Sequence, residues 1–450
     1  MDDDASDLAF EEQFKARVYA VDLGSVLELT AGRSPQVGFA QQRIQESLAQ
    51  LQMADVLWAP SIRAGLNYNK HEGRIQDVQG EIINTSRGSF YGGLGSMAVG
   101  AGSPAVPGLY VNMHLRDAIF QPRIAEQRLG ASQQASRAVT NDTLLEAALA
   151  YLDLLEAFQT KAVAEVTLAN SMRLAALTES FAEAGQGTQA DADRARAELS
   201  LRRLEVQRSI ENCRVASAKL AIWMRHDQSW QLAPLEPSLT PITLVDSPKH
   251  VAELVATGLR SRPELAEHQF LVCEAIERMR REEYAPLIPS VFLGTSYGGN
   301  GGGLGSELSN FGDRWDFDVA AYWEVRNLGY GEHAIRKESR SRVEQARWKQ
   351  MQIMDLVASE VAEAHAQVEE RRRQIDLAES AIASAGDSYR RNVERIRDGQ
   401  GLPIETLQSI QALDQSQRQY VRSVADYNRA QFRLQRALGW PVHDVEAPGH

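Results

Sequence analysis

The chain has 450 residues and a formal net charge of −12, with acidic and basic side chains interspersed along it. This charge balance argues against a protein that wraps nucleic acid, and no nucleic-acid partner is expected. The two cysteines, Cys213 and Cys273, lie far apart inside helical patterns, so we expect them in core or interface positions rather than in a disulfide. No stretch approaches the roughly twenty apolar residues of a membrane-spanning helix.

Residues 1–22 form a polar lead-in. They begin Met1-Asp2-Asp3-Asp4 and are not followed by the apolar core of a signal peptide. The sequence therefore predicts either a cytosolic protein or an exported protein whose signal has been removed or omitted.

The next segment changes from a helical period to a period of two. Residues 23–57 show a helical apolar pattern, whereas 61–69 and the run that starts at Leu109 alternate apolar and polar side chains. Residues 70–108 between these runs are rich in Gly and Ser and are expected to form a loop. The pattern predicts a long β-hairpin over about residues 61–119.

The second half of the chain repeats this plan. Residues 290–297 alternate, Gly298–Gly312 is expected to form a glycine-rich loop, and alternation returns from Phe317 to Val325. These runs predict a second β-hairpin over about residues 290–326. Because the glycine runs lead into strands and not into helix N-termini, a nucleotide phosphate loop is not expected.

Two pairs of long helical patterns accompany the β-hairpins. They predict antiparallel helical hairpins over about residues 124–224 and 334–438, with apolar and small residues recurring every three or four positions. Each hairpin turns at a Gly-Gln-Gly sequence, Gly185-Gln186-Gly187 in the first and Gly399-Gln400-Gly401 in the second. The chain is therefore an internal duplication.

The duplication sets the predicted domain organisation. Repeat 1 covers residues 23–226, a Pro-containing linker covers 227–250, repeat 2 covers 251–440, and 441–450 is a C-terminal tail. The copies are offset by roughly 230 residues near their starts, where a helix passes through a Pro-Ser pair into a strand. A unit of this kind cannot bury its own apolar faces, so each repeat is expected to pair with the other.

The predicted strands have the length and the two-sided character of membrane strands. Each spans about nine to eleven residues, and Tyr68, Tyr297 and Trp323 near strand ends suit the aromatic girdle of a lipid-facing surface. Four strands cannot close a barrel, because about eight are needed. Two copies would close a filled barrel and three a water-filled one, while a soluble sheet packed on a helix is the alternative.

Catalytic motifs are absent from the sequence. The nine histidines show no zinc-protease spacing, and there is neither a nucleophile elbow nor a glycine loop that opens a helix. The pairs Glu282-Glu283 and Glu369-Glu370 lie in arginine-rich helical segments and are expected to form solvated ion pairs. We therefore expect no enzymatic activity, no cofactor and no metal site.

From about Leu23 to Trp440 the chain resembles the TolC-like outer-membrane efflux proteins. The resemblance rests on the repeated helix, Pro-Ser and strand order, on the run Trp323–Gly329, and on the closing runs Asp426–Ala430 and Ala437–Gly439. It implies a mainly helical fold with membrane β-strands. In such a fold, a homotrimer forms a twelve-strand β-barrel on a twelve-helix α-barrel, and linker 227–250 lies in its equatorial belt.

The resemblance also implies a place and a function. The protein would lie in the bacterial outer membrane, in contact with its lipid, and would extend into the periplasm. It would act as a passive exit duct for small molecules or polypeptides, joined by a periplasmic adaptor (membrane fusion) protein to an inner-membrane transporter that drives export. Drug efflux, metal efflux and type I protein secretion all remain open. A soluble helical coiled-coil scaffold is the alternative, although it leaves the predicted strands unexplained.

The resemblance assigns roles to the turns of the helical hairpins. It places Glu405 at the pore constriction, where three copies would attract cations. Gln408 stands where family members have a second carboxylate, and Asp191 is the first-repeat counterpart of Glu405. A plain first-turn helix carboxylate is the alternative for Glu405. The residues implied to contact the adaptor are Gly185, Gln186, Gly187, Gly399, Gln400, Gly401 and Pro403.

Overall fold

The computed structural model describes residues 17–59, 61–62, 64–94, 109–185, 187–245, 250–398 and 400–441. Its helices are α1 (Leu23–Arg33), α2 (Pro35–Asp55), α3 (Leu115–Glu183), α4 (Gln189–Met224), α5 (Val251–Ser261), α6 (Pro263–Tyr284), α7 (Tyr330–Arg397) and α8 (Pro403–Ala437). Its strands are β1 (Val18–Val21), β2 (Ser61–Ile62), β3 (Ala64–Gln76), β4 (Ile82–Leu94), β5 (Leu109–His114), β6 (Gln231–Pro234), β7 (Ser290–Leu304) and β8 (Gly312–Tyr322). Within these ranges, no helix has the length and apolar character needed to cross a membrane.

The chain divides into two compact units, and both draw segments from each sequence repeat. The first unit comprises residues 1–42, 134–265 and 352–450, and the second comprises 43–133 and 266–351. The predicted helical hairpins are present as α3 with α4 and as α7 with α8. Helix α3 begins at Leu115, nine residues before the predicted start. Pro122 lies inside the helix, beyond the first turn in which proline has no cost, and it removes the backbone hydrogen bond to the carbonyl of Ala118.

The second unit contains an antiparallel sheet. Strand β3 pairs with β4 from Ala64↔Leu94 to Gln76↔Ile82, and β7 pairs with β4, with β5 and, on its other side, with β8. The short β2 pairs with β5. Strands β2 and β3 lie one after the other in one position of the sheet, and β5 and β4 do so in another. With β7 and β8, the sheet therefore has four strand positions. Its outer positions are β2–β3 and β8.

Two of the predicted loops are wrong, because much of each is strand. In the expected loop 70–108, residues 70–76 and 82–94 belong to β3 and β4, the turn lies at 77–81, and 95–108 fall outside the described residues. In the expected loop Gly298–Gly312, β7 continues to Leu304.

Close contacts between strands explain why these glycine-rich runs are extended. A Cβ on Gly93 would lie 2.5 Å from the carbonyl oxygen of Tyr297, and one on Gly302 would lie 2.5 Å from that of Gly88. Side chains at these positions would push the strands apart. Glycine therefore marks a close backbone approach here, not a loop.

The predicted final strand is too long at its C-terminal end. Strand β8 ends at Tyr322, so residues 323–326 leave the sheet. A turn follows in which Asn327 and Leu328 both have left-handed backbone angles, with φ of 50° and 56°. This conformation breaks the extended geometry that continued alternation would require.

A chain of ion pairs fixes the junctions between strands and helices in the second unit. Three arginines alternate with three carboxylates in the order Arg116, Asp117, Arg281, Glu282, Arg326 and Glu332, with N–O distances from 2.7 to 3.8 Å. The hydrogen bond that Arg326 donates to Glu332 raises the pKa of its guanidinium. The chain connects the first turn of α3, the last turn of α6 and the first turn of α7.

The first unit is built around helix α8. Buried apolar residues of α5, α7 and α8 form its largest core cluster, and Gly258 lets α5 approach so closely that a Cβ there would lie 2.9 Å from Val361. A second cluster joins α3 and α4 to the strand pair β1–β6, which is parallel from Val18↔Gln231 to Val21↔Pro234.

Buried polar side chains of α8 hold the linker between the repeats. Asn428 accepts a hydrogen bond from the backbone N–H of Ile242 at 2.8 Å and donates one to the carbonyl of Thr240 at 2.9 Å. Gln431 accepts from the N–H groups of Leu244 and Val245. Both amides are 0% exposed. We call the contacts of Asn428 and Gln431 with residues 240–245 the linker clamp. Through Asn428, the linker clamp explains the sequence run Asp426–Ala430 structurally.

The substitution Asn428→Ala is expected to release the linker. It leaves a buried backbone donor and acceptor without partners, which costs about 2–3 kcal/mol in the free energy of unfolding. Hydrogen–deuterium exchange of the backbone amides at 240–245 should become faster, whereas Asn392→Ala on α7, the control, should not change it. Unchanged exchange in Asn428→Ala would contradict the clamp.

A second polar network connects α3, α6, α7 and α8. Arg436 forms ion pairs with Asp142 at 2.6 Å, with Glu360 at 2.8 Å and with Glu264 at 3.0 Å. The buried Arg262 binds Glu264 at 2.7 Å and also pairs with Glu360. Burial raises the pKa of the Glu264 carboxyl, but hydrogen bonds and positive charge from Arg262 outweigh burial and place the pKa below its ordinary value.

This depressed pKa predicts an acid-sensitive contribution to stability. The contribution of Glu264 is fully present above its unfolded-state pKa of about 4.3 and is lost as pH falls through the lower folded-state pKa. The free energy of unfolding should therefore decline on acidification below about pH 4, and Glu264→Gln should flatten that decline. The exposed Glu370→Gln is the control, and equal profiles for wild type and Glu264→Gln would refute the assignment.

Candidate functional site at the helical hairpin tips

The first tip joins α3 to α4 through a capped turn. Gly185 has a left-handed φ of 72°, and the N–H of Gly187 donates to the carbonyl of Phe181 at 3.0 Å. Thr188 caps α4: its hydroxyl accepts from the N–H of Asp191 and donates to the Asp191 carboxylate at 2.6 Å. The Asp191 carboxylate is therefore engaged in the helix cap.

The second tip joins α7 to α8 by a different arrangement. The N–H groups of Gln400 and Gly401 both donate to the carbonyl of Arg395 at 2.9 Å. A Cβ on Gly401 would lie 2.8 Å from the backbone nitrogen of Ile396, so this position requires glycine. Pro403 begins α8, where its missing donor has no cost, and Leu402 provides no side-chain cap.

The predicted constriction residues lie in the first turns of the returning helices. Glu405 forms an ion pair with Arg395 across the second tip, with 3.0 Å between Oε2 and Nη1. Asp191 instead lies 4.0 Å from Arg194 of its own helix. Gln408 is exposed one turn beyond Glu405. The sequence did not indicate the pairing of Arg395 with Glu405, because the two residues belong to different helices.

The predicted adaptor-contacting residues that the structure describes are at the surface. Gly185, Gly187 and Gln400 are exposed, whereas Gly401 and Pro403 are partly covered. Gln186 and Gly399 lie outside the described residues. The adaptor contact and the pore constriction both remain predictions at this point.

The two tips pack against each other through a small apolar cluster. Leu174 of α3 contacts Ile396 of α7 together with Leu407 and Ile410 of α8, and all four side chains are buried. Beside this cluster lies a groove of about 770 Å³ between α3 and α7, with Arg173, Asp387, Arg390 and other polar residues at its rim.

A buried charge network links the two hairpins farther along their helices. The carboxylate of Asp414 on α8 accepts from Thr167 of α3 at 2.9 Å, from Arg202 of α4 at 3.2 Å and from Arg418 of its own helix at 3.0 Å. Arg202 also pairs with Glu198, and Arg418 with Glu205. The sequence did not indicate this network, because its residues belong to three different helices.

Removing the Asp414 carboxylate is expected to weaken the contact between the hairpins. Asp414→Ala leaves two partly buried arginines without their shared partner, a loss worth about 3–5 kcal/mol. Chemical unfolding of the purified protein should show this loss, while the exposed Asp376→Ala on α7 should change stability by less than about 0.5 kcal/mol. Equal stability of the two variants would rule out the network as a structural link.

Comparisons with known proteins show a family similarity in the second half of the chain and a shared fold. Residues 254–440 match the family model described as outer membrane efflux protein. This region of the chain is similar to the outer membrane efflux proteins. No curated protein is similar enough to count as a match.

Solved outer-membrane channels have the same fold over nearly the whole chain. The outer-membrane channel OprN is 18% identical, with a TM-score of 0.77, over 93% of this chain and 89% of that one. The CmeC channel of Campylobacter jejuni is 15% identical, with a TM-score of 0.77, over 94% and 87%. VceC from Vibrio cholerae is 16% identical, with a TM-score of 0.74, over 93% and 96%.

These findings confirm the resemblance and the fold class predicted from the sequence. The combination of long helical hairpins with a small sheet is the fold of these channels. The matching family model describes efflux proteins, and the similar solved structures are outer-membrane channels.

Proposed function

We propose that this chain is the outer-membrane exit duct of a tripartite efflux or type I secretion system, a passive channel driven by an inner-membrane pump. The observation that carries the proposal is the four-position sheet of the second unit on a family fold. Both of its outer positions, β2–β3 and β8, lack a further partner strand among the described residues. A sheet with two unpaired edges exposes backbone N–H and C=O groups that can pair with strands of other chains.

The surface of the sheet supports contact with lipid. Trp315, Phe317 and Val319 occupy alternate positions of β8 and are between 61% and 68% exposed. Tyr297 on the neighbouring β7 is also exposed. One face of an antiparallel sheet that presents a row of aromatic and branched side chains matches the outer face of a membrane barrel. We place this face against outer-membrane lipid.

A homotrimer would resolve the two free edges. Three copies bring twelve strands together, each outer position pairs with the opposite outer position of the next copy, and no edge remains. Twelve strands leave room for a water-filled lumen. The paired helical hairpins of three copies would continue the duct into the periplasm.

The hairpin tips would form the periplasmic end of the duct. Glu405, Gln408 and Asp191 are proposed at the entrance, and the turns at Gly185–Gly187 and at Gly399–Pro403 are proposed to contact a periplasmic adaptor protein. Support comes from the exposure of the described turn residues and from the family fold. No observation favours a soluble scaffold, because a scaffold would leave the exposed face of β8 without a role.

Assembly and conductance test the proposed function together. The protein should fractionate with the outer membrane, have three times the 49.9 kDa mass of one chain in detergent, and form conducting pores in planar bilayers. A chain that is monomeric and soluble without detergent would refute the proposal.

Crosslinking tests the adaptor contact separately. With Gln400→Cys, a cysteine-reactive photocrosslinker in cells should capture a periplasmic adaptor protein at the tip. Gln374→Cys, an exposed position farther along α7, is the matched control and should capture none. Capture from both positions or from neither would contradict a contact at the tip.

A further inference from the structure

Arg395 is held at a fixed place in the second tip. Its carbonyl oxygen accepts two hydrogen bonds from the turn, from the N–H groups of Gln400 and Gly401, both at 2.9 Å. Gly401 makes this close approach possible, since a Cβ there would lie 3.0 Å from the Arg395 carbonyl carbon. The backbone of Arg395 is therefore anchored to the turn that leads into α8.

The helix ends reinforce the charge pair between Arg395 and Glu405. Arg395 lies in the last turn of α7, where the helix dipole favours a cation, and Glu405 lies in the first turn of α8, where it favours an anion. The two charges are 3.0 Å apart, with side chains 51% and 37% exposed. The side chains are thus partly exposed, although Oε2 of Glu405, the oxygen that faces Arg395, is itself buried and makes no hydrogen bond. The turn sets the place of the pair.

The first tip joins its two helices through a different ion pair, Glu179 of α3 with Arg196 of α4 at 3.3 Å, which does not include Asp191. Asp191 accepts from Thr188 and lies near Arg194, both on its own side of the turn. The charge of the surrounding sequence differs as well. Residues 387–405 contain four arginines and four carboxylates, whereas the equivalent residues 173–191 contain one arginine and three carboxylates. The positive and negative side chains of residues 387–405 are therefore equal in number.

An arginine 3.0 Å from a carboxylate changes the electrostatic field that acts on a passing solute. Beyond a Debye length of about 8 Å in physiological salt, the two charges act as a weak dipole and no longer as a negative charge. Gln408 adds no second carboxylate one turn away. A ring of free carboxylates would attract cations and repel anions, but a ring of ion pairs does neither strongly.

We propose that Arg395 neutralises Glu405 and makes the periplasmic entrance of this duct charge-balanced. The entrance then admits anionic and zwitterionic solutes as readily as cations, and Arg395 is a specificity-determining residue. The inference rests on the proposed function, since it requires Glu405 to line the entrance of a conducting trimer.

Ion selectivity in planar bilayers tests the inference. Reversal potentials of the purified trimer in a KCl gradient should give wild type a cation-to-anion permeability ratio within about twofold of one. Arg395→Gln should raise the ratio about fivefold, as expected for an unbalanced unit charge a few ångströms from the path in water, and Glu405→Gln should lower it. The double variant Arg395→Gln/Glu405→Gln should return to the wild-type ratio.

Controls separate this inference from the proposed function. Arg373→Gln removes an arginine from an exposed ion pair on the same helix and should leave the ratio unchanged. Trimer mass in detergent shows that each variant assembles. A strongly cation-selective wild type, or an Arg395→Gln ratio equal to wild type, overturns the inference while conductance stands. Absence of conductance in wild type would instead refute the proposed function itself.

Discussion

The structure depends on one constraint, that every backbone N–H and C=O of a strand needs a hydrogen-bond partner. The sheet satisfies this inside its four positions, but the outer sides of β2–β3 and β8 have no partner strand among the described residues. We propose that other copies of the chain supply the missing strands. The ion-pair chain from Arg116 to Glu332 fixes the junctions of this sheet with its helices, so that the free edges have a defined position for pairing.

Helix α8 has the central structural role in the first unit. Its buried polar side chains bind the linker through Asn428, and its arginine Arg436 binds three acidic residues from other helices. Asp414 connects it to both helices of the first hairpin. In an interior of low dielectric, such contacts are strong when complete and costly when broken. The two repeats share a general plan but differ in the details of their tips.

The sequence predicted the large features and missed those that depend on contacts between distant residues. Helical and alternating periods located the hairpins, because periodicity is a local property. The glycine-rich stretches were taken as loops, since composition does not reveal that Gly302 lies against the backbone of Gly88. At the site, Glu405 could be located by its distance from the tip glycines. Its partner Arg395 could not, because side-chain pairing across a turn depends on three-dimensional geometry.

The linker clamp has a consequence for the order of folding. The backbone N–H of Ile242 donates its hydrogen bond to Asn428, which lies 186 residues later in the chain. Closing so long a loop is slow compared with forming local helix contacts. During synthesis from the N-terminus, the linker therefore cannot complete these contacts until the last helix has been made. The final packing of the linker follows the completion of the chain.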